Sequence, residues 1–415
     1  MTNGIETHAP GYRWIIEALV IMMLIVQVMA WLAPAPILKP IVVSLHIGMG
    51  QFGLIISIIS LWIGIFSFLG GVLTERFGTL RTLLVGIWLL AIGEVASGFT
   101  SGYGALLLCR MVQGVGYGLM IGPPAALLME WFSEREWPYI NTINSMIAYL
   151  GIFALFAITP RVYHVLGSSW QRTLTCYGIS AVIAAILWTV FGRQRQSAAT
   201  GGHQAHSASN LSEVLRMRGV ILMSVALFGG LWAFQIFTSF LPEFFREYRG
   251  LGLEQASALT GLLPLTGVFA AGLGGIASGI VGLRKPFLWP LAILSLIGYL
   301  AAILLTEIAG ISTGLVLVGI GASGGLAATV TLMMELPGMT PAKMGPAFAT
   351  IWAVGYIGGF ISPVLGGILV PPLGLRNVLL LAATFQVLPI ISMYMLPETG
   401  PGRHPLAMAA SPAGH

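Results

Sequence analysis

The chain has no aspartate and very few charged residues of any other kind. Of its 415 residues only 8% are Asp, Glu, Lys or Arg, and all 14 acids are glutamate. Soluble domains carry about 25% charged residues, so this composition excludes a soluble globular protein. The two cysteines, Cys109 and Cys176, lie inside apolar segments and give no spacing for a disulfide framework or a metal site.

Sequence motifs of enzyme chemistry are absent too. The chain contains no phosphate-binding loop, no dinucleotide fingerprint and no nucleophile–base pattern. We therefore expect no enzyme activity, no cofactor and no bound metal. The basic balance, 19 Lys and Arg against 14 acids, is spread singly over short turns. This distribution favours membrane topology and anionic lipid over a nucleic-acid partner.

Long apolar runs dominate what is present, because 57% of the residues are hydrophobic. About 20 apolar residues cross a bilayer as a helix. Twelve such runs predict twelve transmembrane helices, at residues 14–38, 51–73, 82–100, 104–130, 140–163, 172–192, 220–245, 255–280, 286–306, 312–334, 346–370 and 377–396. No small-residue cleavage site follows the first run, so we expect this run to be retained as a span.

The sequence repeats itself across its two halves. The stretch from Gly71 to Arg81 returns in weaker form from Gly275 to Lys285, 204 residues later (275 − 71). Duplicated halves are typical of secondary transporters, whose binding site lies where the halves meet. The predicted organisation is a six-helix bundle at 1–192, a flexible cytoplasmic linker at 193–219, a second six-helix bundle at 220–396 and a cytoplasmic tail at 397–415.

Positive charges are unevenly divided between the two sets of loops. The set that includes both termini and the linker carries twelve Lys and Arg, the opposite set carries six, and Arg110 lies inside a helix. Cytoplasmic loops carry the excess of positive charge in membrane proteins. Both termini should therefore be cytoplasmic, in an integral plasma-membrane protein of the bacterial inner-membrane kind. A monomer is the expected state.

Two motifs carry a family resemblance. Residues at the turn between segments 2 and 3 resemble the loop 2–3 signature of the major facilitator superfamily, with Glu where that family more often has Asp; they are Gly71, Leu73, Glu75, Arg76, Gly78 and Arg81. The second copy keeps Arg284 and Lys285 but has Gly279 in place of the acid. In segment 4, Arg110, Gln113 and Gly114 are similar to the superfamily pattern Arg-x-x-Gln-Gly.

This resemblance implies an all-α membrane fold of twelve transmembrane helices in two pseudo-symmetric six-helix bundles. It also implies alternating access around a central site. In the loop motif, we expect cations to pair with the acids that close segments 4 and 10. The hypothesis is that Glu130 with Arg76 or Arg81, and Glu335 with Arg284 or Lys285, latch the cytoplasmic side in the outward-open state. The alternative is ordinary interfacial charge.

Three charged residues are predicted to lie within the membrane, where an unpaired charge is costly. Arg110 and Glu94 lie eight residues on either side of Gly102, so both sit about 12 Å along their helices from the same turn and could pair. Such a pair is either a static bridge or a proton-linked switch. Glu17 is a second proton-coupling candidate, although it lies close enough to Arg13 to reach toward the cytoplasm.

The resemblance places segments 1, 2, 4, 5, 7, 8, 10 and 11 around the cavity. Their polar and aromatic residues are the substrate-binding candidates, together with Arg110: Gln27, Trp31, Gln113, Asn144, Tyr149, Trp232, Gln235, Trp352 and Tyr356. A pocket with an arginine and no central acid favours an anion or a neutral solute over an organic cation. Leu396–Gly400 looks like the ending of sugar porters, but its companion after segment 6 is missing.

The sequence therefore predicts a secondary active transporter of a small solute. The first choice is a small organic or inorganic anion moved with protons by alternating access, because the chain loosely resembles bacterial cyanate and organic-acid permeases. The alternative is proton-driven efflux of apolar or cationic compounds. A non-transporting membrane sensor is the third possibility, but the linker and tail are short for a sensor domain.

Overall fold

The computed structural model describes residues 11–133, 136–195, 208–339 and 341–400, and every regular element in these ranges is a helix. The helices are α1 Tyr12–Leu32, α2 Leu38–Leu45, α3 Met49–Phe77, α4 Thr79–Ser97, α5 Tyr103–Leu119, α6 Pro123–Trp131, α7 Trp137–Val165, α8 Trp170–Phe191, α9 Ala208–Arg216, α10 Arg218–Arg249, α11 Leu253–Val281, α12 Trp289–Leu304, α13 Ile308–Ser323, α14 Leu326–Met334, α15 Pro341–Leu373, α16 Leu375–Thr384 and α17 Val387–Met395. Short 3₁₀ turns cover Ala35–Ile37 and Lys285–Phe287.

These helices provide twelve spans that are long and apolar enough to cross a membrane. The predicted twelve-helix fold is therefore confirmed. Four spans that the sequence predicted as single helices are interrupted: α1/α2, α5/α6, α13/α14 and α16/α17. Prolines or glycines explain the breaks, because proline offers no N–H to the carbonyl four residues earlier.

Successive spans alternate in direction, so all connections lie on one of two faces. We call the face with the turn after α3, the linker and the tail the linker face, and the other the opposite face. The two bundles meet along α3 with α15 and along α7 with α11. On the opposite face Gly53 lies against the backbone of Pro363, and Gly367 against that of Met49, so glycine permits this close approach.

A buried apolar cluster joins the two bundles on the opposite face. It includes Ile41 and Phe52 from the first half and Phe240 and Phe244 from the second, all with 0% exposure. Phe52 and Phe240 have ring centroids 6.4 Å apart. This cluster closes the opposite face.

An inter-bundle ion pair lies beside that cluster. Lys39 Nζ, at the end of the first span, is 4.0 Å from Glu243 Oε1 of α10. Arg246 also binds Glu243, at 2.8 Å. Glu243 thus connects a cation of its own helix with one from the other bundle.

The segment between the bundles is more ordered than a flexible linker. Its second part forms α9, whose Val214 is completely buried. Lys343 Nζ of α15 holds Glu213 at 2.7 Å. The prediction of a flexible linker over 193–219 is therefore wrong for residues 208–216. Residues 196–207, with His203 and His206, lie outside the described residues.

Candidate functional site

A cavity of about 380 Å³ lies between the bundles and extends to the linker face. Phe287, Met333 and Leu396, at the linker-face ends of their spans, are among its lining residues. Only seven lining residues come from the first half: Val28, Trp31, Tyr117, Ser145, Ala148, Tyr149 and Ile152. The rest come from the second half, and no lining residue is charged. The cavity therefore extends mainly into the C-terminal bundle.

Aromatic rings from both bundles form one side of the cavity. Trp31 has ring centroids 6.3 Å from Tyr117, 6.3 Å from Phe234 and 6.4 Å from Tyr356. Trp352 extends the group, 5.7 Å from Tyr356. We call these five residues the aromatic wall. It offers large apolar surface and ring faces to a bound solute.

Arg110 does not line this cavity. It is 1% exposed and lies behind Trp31, where its guanidinium donates to the carbonyls of Ala30, Trp31 (2.6 Å) and Ile55 (3.1 Å). Pro34 explains the Ala30 contact, because proline has no N–H for the carbonyl four residues earlier. Arg110 thus completes the hydrogen bonding of the broken first span. The role of Arg110 as a substrate ligand stays a prediction, and in this conformation the side chain is outside the cavity lining.

The expected bridge between Glu94 and Arg110 is not formed. Arg110 Nη1 instead donates to Gln113 Oε1 at 2.6 Å, and Gln113 Nε2 donates to Ser97 Oγ at 2.8 Å. Glu94 is 1% exposed, and neither carboxylate oxygen has a hydrogen-bond partner among the described residues. The carboxyl is close enough to Arg110 for the two charges to interact, so the role as a proton-linked switch stays a hypothesis.

The other predicted site residues divide into two groups. Trp31, Tyr149, Trp352 and Tyr356 line the cavity. Those outside the lining are Gln27, Gln113, Asn144, Trp232 and Gln235. Trp232 instead stacks on Phe385 with centroids 4.1 Å apart, and Gln235 is fully buried. Polarity marked these positions in the sequence, but the rotation of each helix decides which ones face the cavity.

Glu17 is buried rather than directed toward the linker face. Only 4% of it is exposed, and it lies beside Asn144 of α7. The interpretation that Glu17 reaches the interface is therefore wrong. An intramembrane carboxyl of this kind keeps its candidacy for proton coupling.

The second predicted latch contact is present on the linker face. Arg284 Nη2 lies 3.0 Å from Glu335 Oε1, and Arg284 Nε lies 3.3 Å from Glu335 Oε2. Lys285 does not join them; its Nζ lies over the Tyr394 ring at 5.1 Å. The pair joins two elements of the same bundle, in a conformation closed on the opposite face. It therefore does not by itself bridge the halves.

The segment after α17 holds this loop in place, which the sequence did not reveal. Glu398 accepts backbone hydrogen bonds from Arg284 (2.8 Å), Lys285 (2.9 Å), Thr399 (3.1 Å) and Gly400 (3.0 Å). Thr399 Oγ1 donates to Glu335 Oε2 at 2.6 Å. We call Glu335, Arg284, Glu398 and Thr399 the tail clamp. The first residues of the predicted tail, 398–400, thus hold the loop of the second motif copy in place.

Hydrogen bonding also sets the protonation of the tail clamp. Partial burial tends to raise the pKa of Glu398, but the four backbone donors outweigh it and hold the pKa below its usual value of 4.5. Glu335 behaves in the same way, because bonds from Arg284 and Thr399 outweigh desolvation and lower its pKa. Both carboxylates are therefore ionised at neutral pH.

The first predicted latch takes a different form. Glu130 accepts from Gln194 Nε2 at 3.1 Å and from the Arg195 backbone N–H at 3.2 Å. Arg76 is exposed beside Phe77, and Arg81 is exposed as well. Glu130 is therefore paired with neither Arg76 nor Arg81 in this conformation, and the latch expected for the outward-open state stays a prediction. The surroundings of Gly71 and the side chain of Glu75 lie outside what the structure describes.

Several lining residues were not among the candidates predicted from sequence, and Ser295 and Gln386 are two polar ones. Ser295 of α12 is 1% exposed and Gln386, between α16 and α17, is 4% exposed. The resemblance placed these two spans outside the cavity, so their polar residues were not considered.

Comparison with known proteins places these features in a family. The sequence profile of the Major Facilitator Superfamily matches residues 20–361. The chain is 27% identical over 240 residues to a hexuronate transporter of Bacillus subtilis, a match that covers 56% of each protein. It is 23% identical over 397 residues to a gallate transporter of Pseudomonas putida, covering 86% of this chain and 85% of that one.

The fold is similar to that of a solved transporter. A bacterial homologue of the human lysosomal transporter Spinster, in an inward-facing and occupied conformation, superposes with a TM-score of 0.80 at 14% identity. The match covers 94% of this chain and 97% of that one.

Proposed function

The chain belongs to the Major Facilitator Superfamily and is a secondary transporter, and from this premise we propose that it moves a small organic anion together with protons. The halves at 1–192 and 220–396 would rock around the central cavity, which alternately opens to each face. The conformation described here has the opposite face closed, with the cavity reaching the linker face. We place the protein in a bacterial inner membrane as a monomer, with both termini cytoplasmic.

The cavity lining is the observation that carries the anion proposal. It contains no acidic side chain, whereas it does contain buried hydroxyl and amide groups at Ser295 and Gln386. Neither an anion nor a cation would find a counter-charge there, but the Gln386 amide and the Ser295 hydroxyl can donate hydrogen bonds to an anion. The positive charge of Arg110, directly behind Trp31, adds to the attraction without a contact. The hexuronate and gallate transporters, by their names, move organic anions.

Efflux of an apolar compound is the second candidate, because most of the cavity lining is apolar or aromatic. Purified protein in liposomes loaded with a pH-sensitive dye separates the two. Proton uptake on addition of organic anions, absent with neutral and cationic solutes, would support anion–proton symport. Proton release on addition of apolar cations, without response to anions, would overturn it in favour of efflux.

Coupling and gating roles complete the proposal. We assign proton coupling to Glu94 and Glu17, the buried carboxyls of the first half. We assign gating to the tail clamp on the linker face and to the ion pair of Lys39 and Glu243 on the opposite face. In alternating access, the pair on the opposite face must separate as that face opens, because its members belong to different bundles.

A further inference from the structure

The cavity ends at a helix terminus in the C-terminal bundle. The tenth span breaks at Gly324 and Gly325, and α14 begins at Leu326 and runs for nine residues. Gly325 and Leu326 line the cavity, as does Thr329 one turn later. The first N–H groups of a helix have no acceptor within the helix and carry its positive dipole end. This end of the cavity therefore presents partial positive charge.

Gln386 provides the independent indication that a ligand binds here. It lies in the two-residue break between α16 and α17. Pro389 favours this break because it cannot donate to the Phe385 carbonyl, which accepts from the Leu388 N–H at 3.1 Å instead. The residue is 4% exposed and lines the cavity. Among the described residues its side-chain amide makes no hydrogen bond, and its polar atoms are not among the fully buried ones. The amide is therefore open to the cavity, where a ligand can pair with it.

Ser295 is a second polar residue of the lining. It is 1% exposed on α12, and its hydroxyl lies beside that of Tyr299, with no hydrogen bond of normal geometry for either group in the described residues. Its backbone lies against Gly321, just before the break in the tenth span. Ser295 thus lies next to the helix that ends in the α14 break. Its side chain lines the same cavity as Gln386.

We propose that Ser295, Gln386 and the first turn of α14 form a carboxylate subsite, and that the aromatic wall holds the ring of the same ligand. This rests on the proposed anion transport and names its substrate class, an aromatic monocarboxylate. At this subsite, neutral hydrogen-bond donors and the positive end of the α14 dipole would bind the ligand carboxylate, a group that proteins often bind with an arginine. The cavity of about 380 Å³ is much larger than a small inorganic anion, so the ring is needed to fill it.

Binding of benzoate to the purified protein tests the subsite, measured by calorimetry at constant pH. Benzamide has the same ring without the charge, and acetate has the charge without the ring. We expect benzoate to bind more tightly than either. Gln386→Glu places a like charge at the subsite and should weaken benzoate at least about tenfold, while benzamide changes little.

Two further variants keep the test independent of folding. Ser295→Ala removes a single donor and should weaken benzoate by roughly threefold to tenfold. Gln255→Glu makes the matched change at an exposed position of α11 and should leave benzoate affinity unchanged. Melting temperatures of all variants show whether each is folded.

The outcomes distinguish the subsite from the proposed function. If wild-type protein binds benzoate but Gln386→Glu and Ser295→Ala bind it equally well, the subsite is wrong while anion transport stands. If wild type binds none of the carboxylates and does bind apolar cations, the proposed function fails and the subsite fails with it. Acetate bound as tightly as benzoate would overturn the role of the aromatic wall.

Discussion

Replacing Arg110 should affect the stability of the protein before it affects substrate recognition. In Arg110→Ala the carbonyls of Ala30 and Trp31 lose the donors seen in the structure. A buried acceptor left unpaired costs about 1–3 kcal/mol, so the two together cost about 2–6 kcal/mol. The carbonyl of Ile55 lies inside α3 and can keep its helical partner, so we count it as a smaller loss.

Thermal unfolding in detergent, with and without benzoate, measures both effects. We expect the melting temperature of Arg110→Ala to fall by about 2–7 °C, because about 2–6 kcal/mol is divided by the large unfolding entropy of a 415-residue chain. Arg110→Lys keeps the charge but loses the planar fork that reaches three carbonyls. It should also be destabilised, yet benzoate should raise its melting temperature as much as it does for wild type. Arg161→Ala, at an exposed arginine of α7, is the control and should change little.

One result would refute this reasoning. If Arg110→Lys melts like wild type but no longer responds to benzoate, Arg110 binds the carboxylate directly. The hydrogen bonds to the first span would then belong to a resting conformation only. The sequence-based assignment of Arg110 as a substrate ligand would be restored.

Three further perturbations test the remaining features. Glu398→Gln should lower the melting temperature relative to Glu307→Gln at neutral pH. Because the folded-state pKa of Glu398 lies below 4.5, this difference in melting temperature should disappear as the pH falls through that lower pKa. A difference that stays constant with pH would contradict the tail clamp. Glu94→Gln loses no hydrogen bond, so the variant in liposomes should still exchange anion across the membrane. Its anion uptake should no longer respond to a pH gradient. Uptake that still responds would remove Glu94 from proton coupling. Lys39→Glu should increase the population that is open on the opposite face, by about fivefold at most. In a background without native cysteines, Ala148→Cys should then react faster with an impermeant maleimide added from that face. An unchanged reaction rate would exclude the ion pair of Lys39 and Glu243 as a gate.

The fold was predictable because hydropathy and length decide it. A bilayer forces every apolar run of about 20 residues into a helix, and the loop motif fixed the family. The pairing of Glu335 with Arg284 also followed from sequence, because cations of the loop motif were expected to pair with the acid that closes segment 10. Contacts between charged side chains at helix ends could thus partly be predicted from the sequence.

Contacts that involve backbone groups could not be predicted from the sequence. Arg110 binds carbonyls, which every residue has, so residue identity gives no direct signal for them. The presence of Pro34 four residues after Ala30 was the one available indication, because it predicts a carbonyl without a helical donor. Gln386 was missed for another reason: the resemblance placed the twelfth span outside the cavity, and only the break before α17 places it in the lining.

The repeat explains why one predicted ion pair is present and the other is not. Glu130 and Glu335 lie 205 residues apart (335 − 130), and so do Gln194 and Thr399 (399 − 194), which bind them after the sixth and twelfth spans. The hydrogen bond to the acid is therefore the contact common to both halves.

The ion pair is an addition of the second half alone. At the repeat spacing of 204, Arg284 corresponds to Leu80 (284 − 204), so the first half has no cation where the salt bridge would form. Arg81 corresponds to Lys285 (285 − 204), which does not bind Glu335 either. The motif acid also differs, since Gly279 replaces it in the second half while Glu398 from the tail accepts the N–H groups of that loop. The two halves thus stabilise equivalent turns with residues from different parts of the chain.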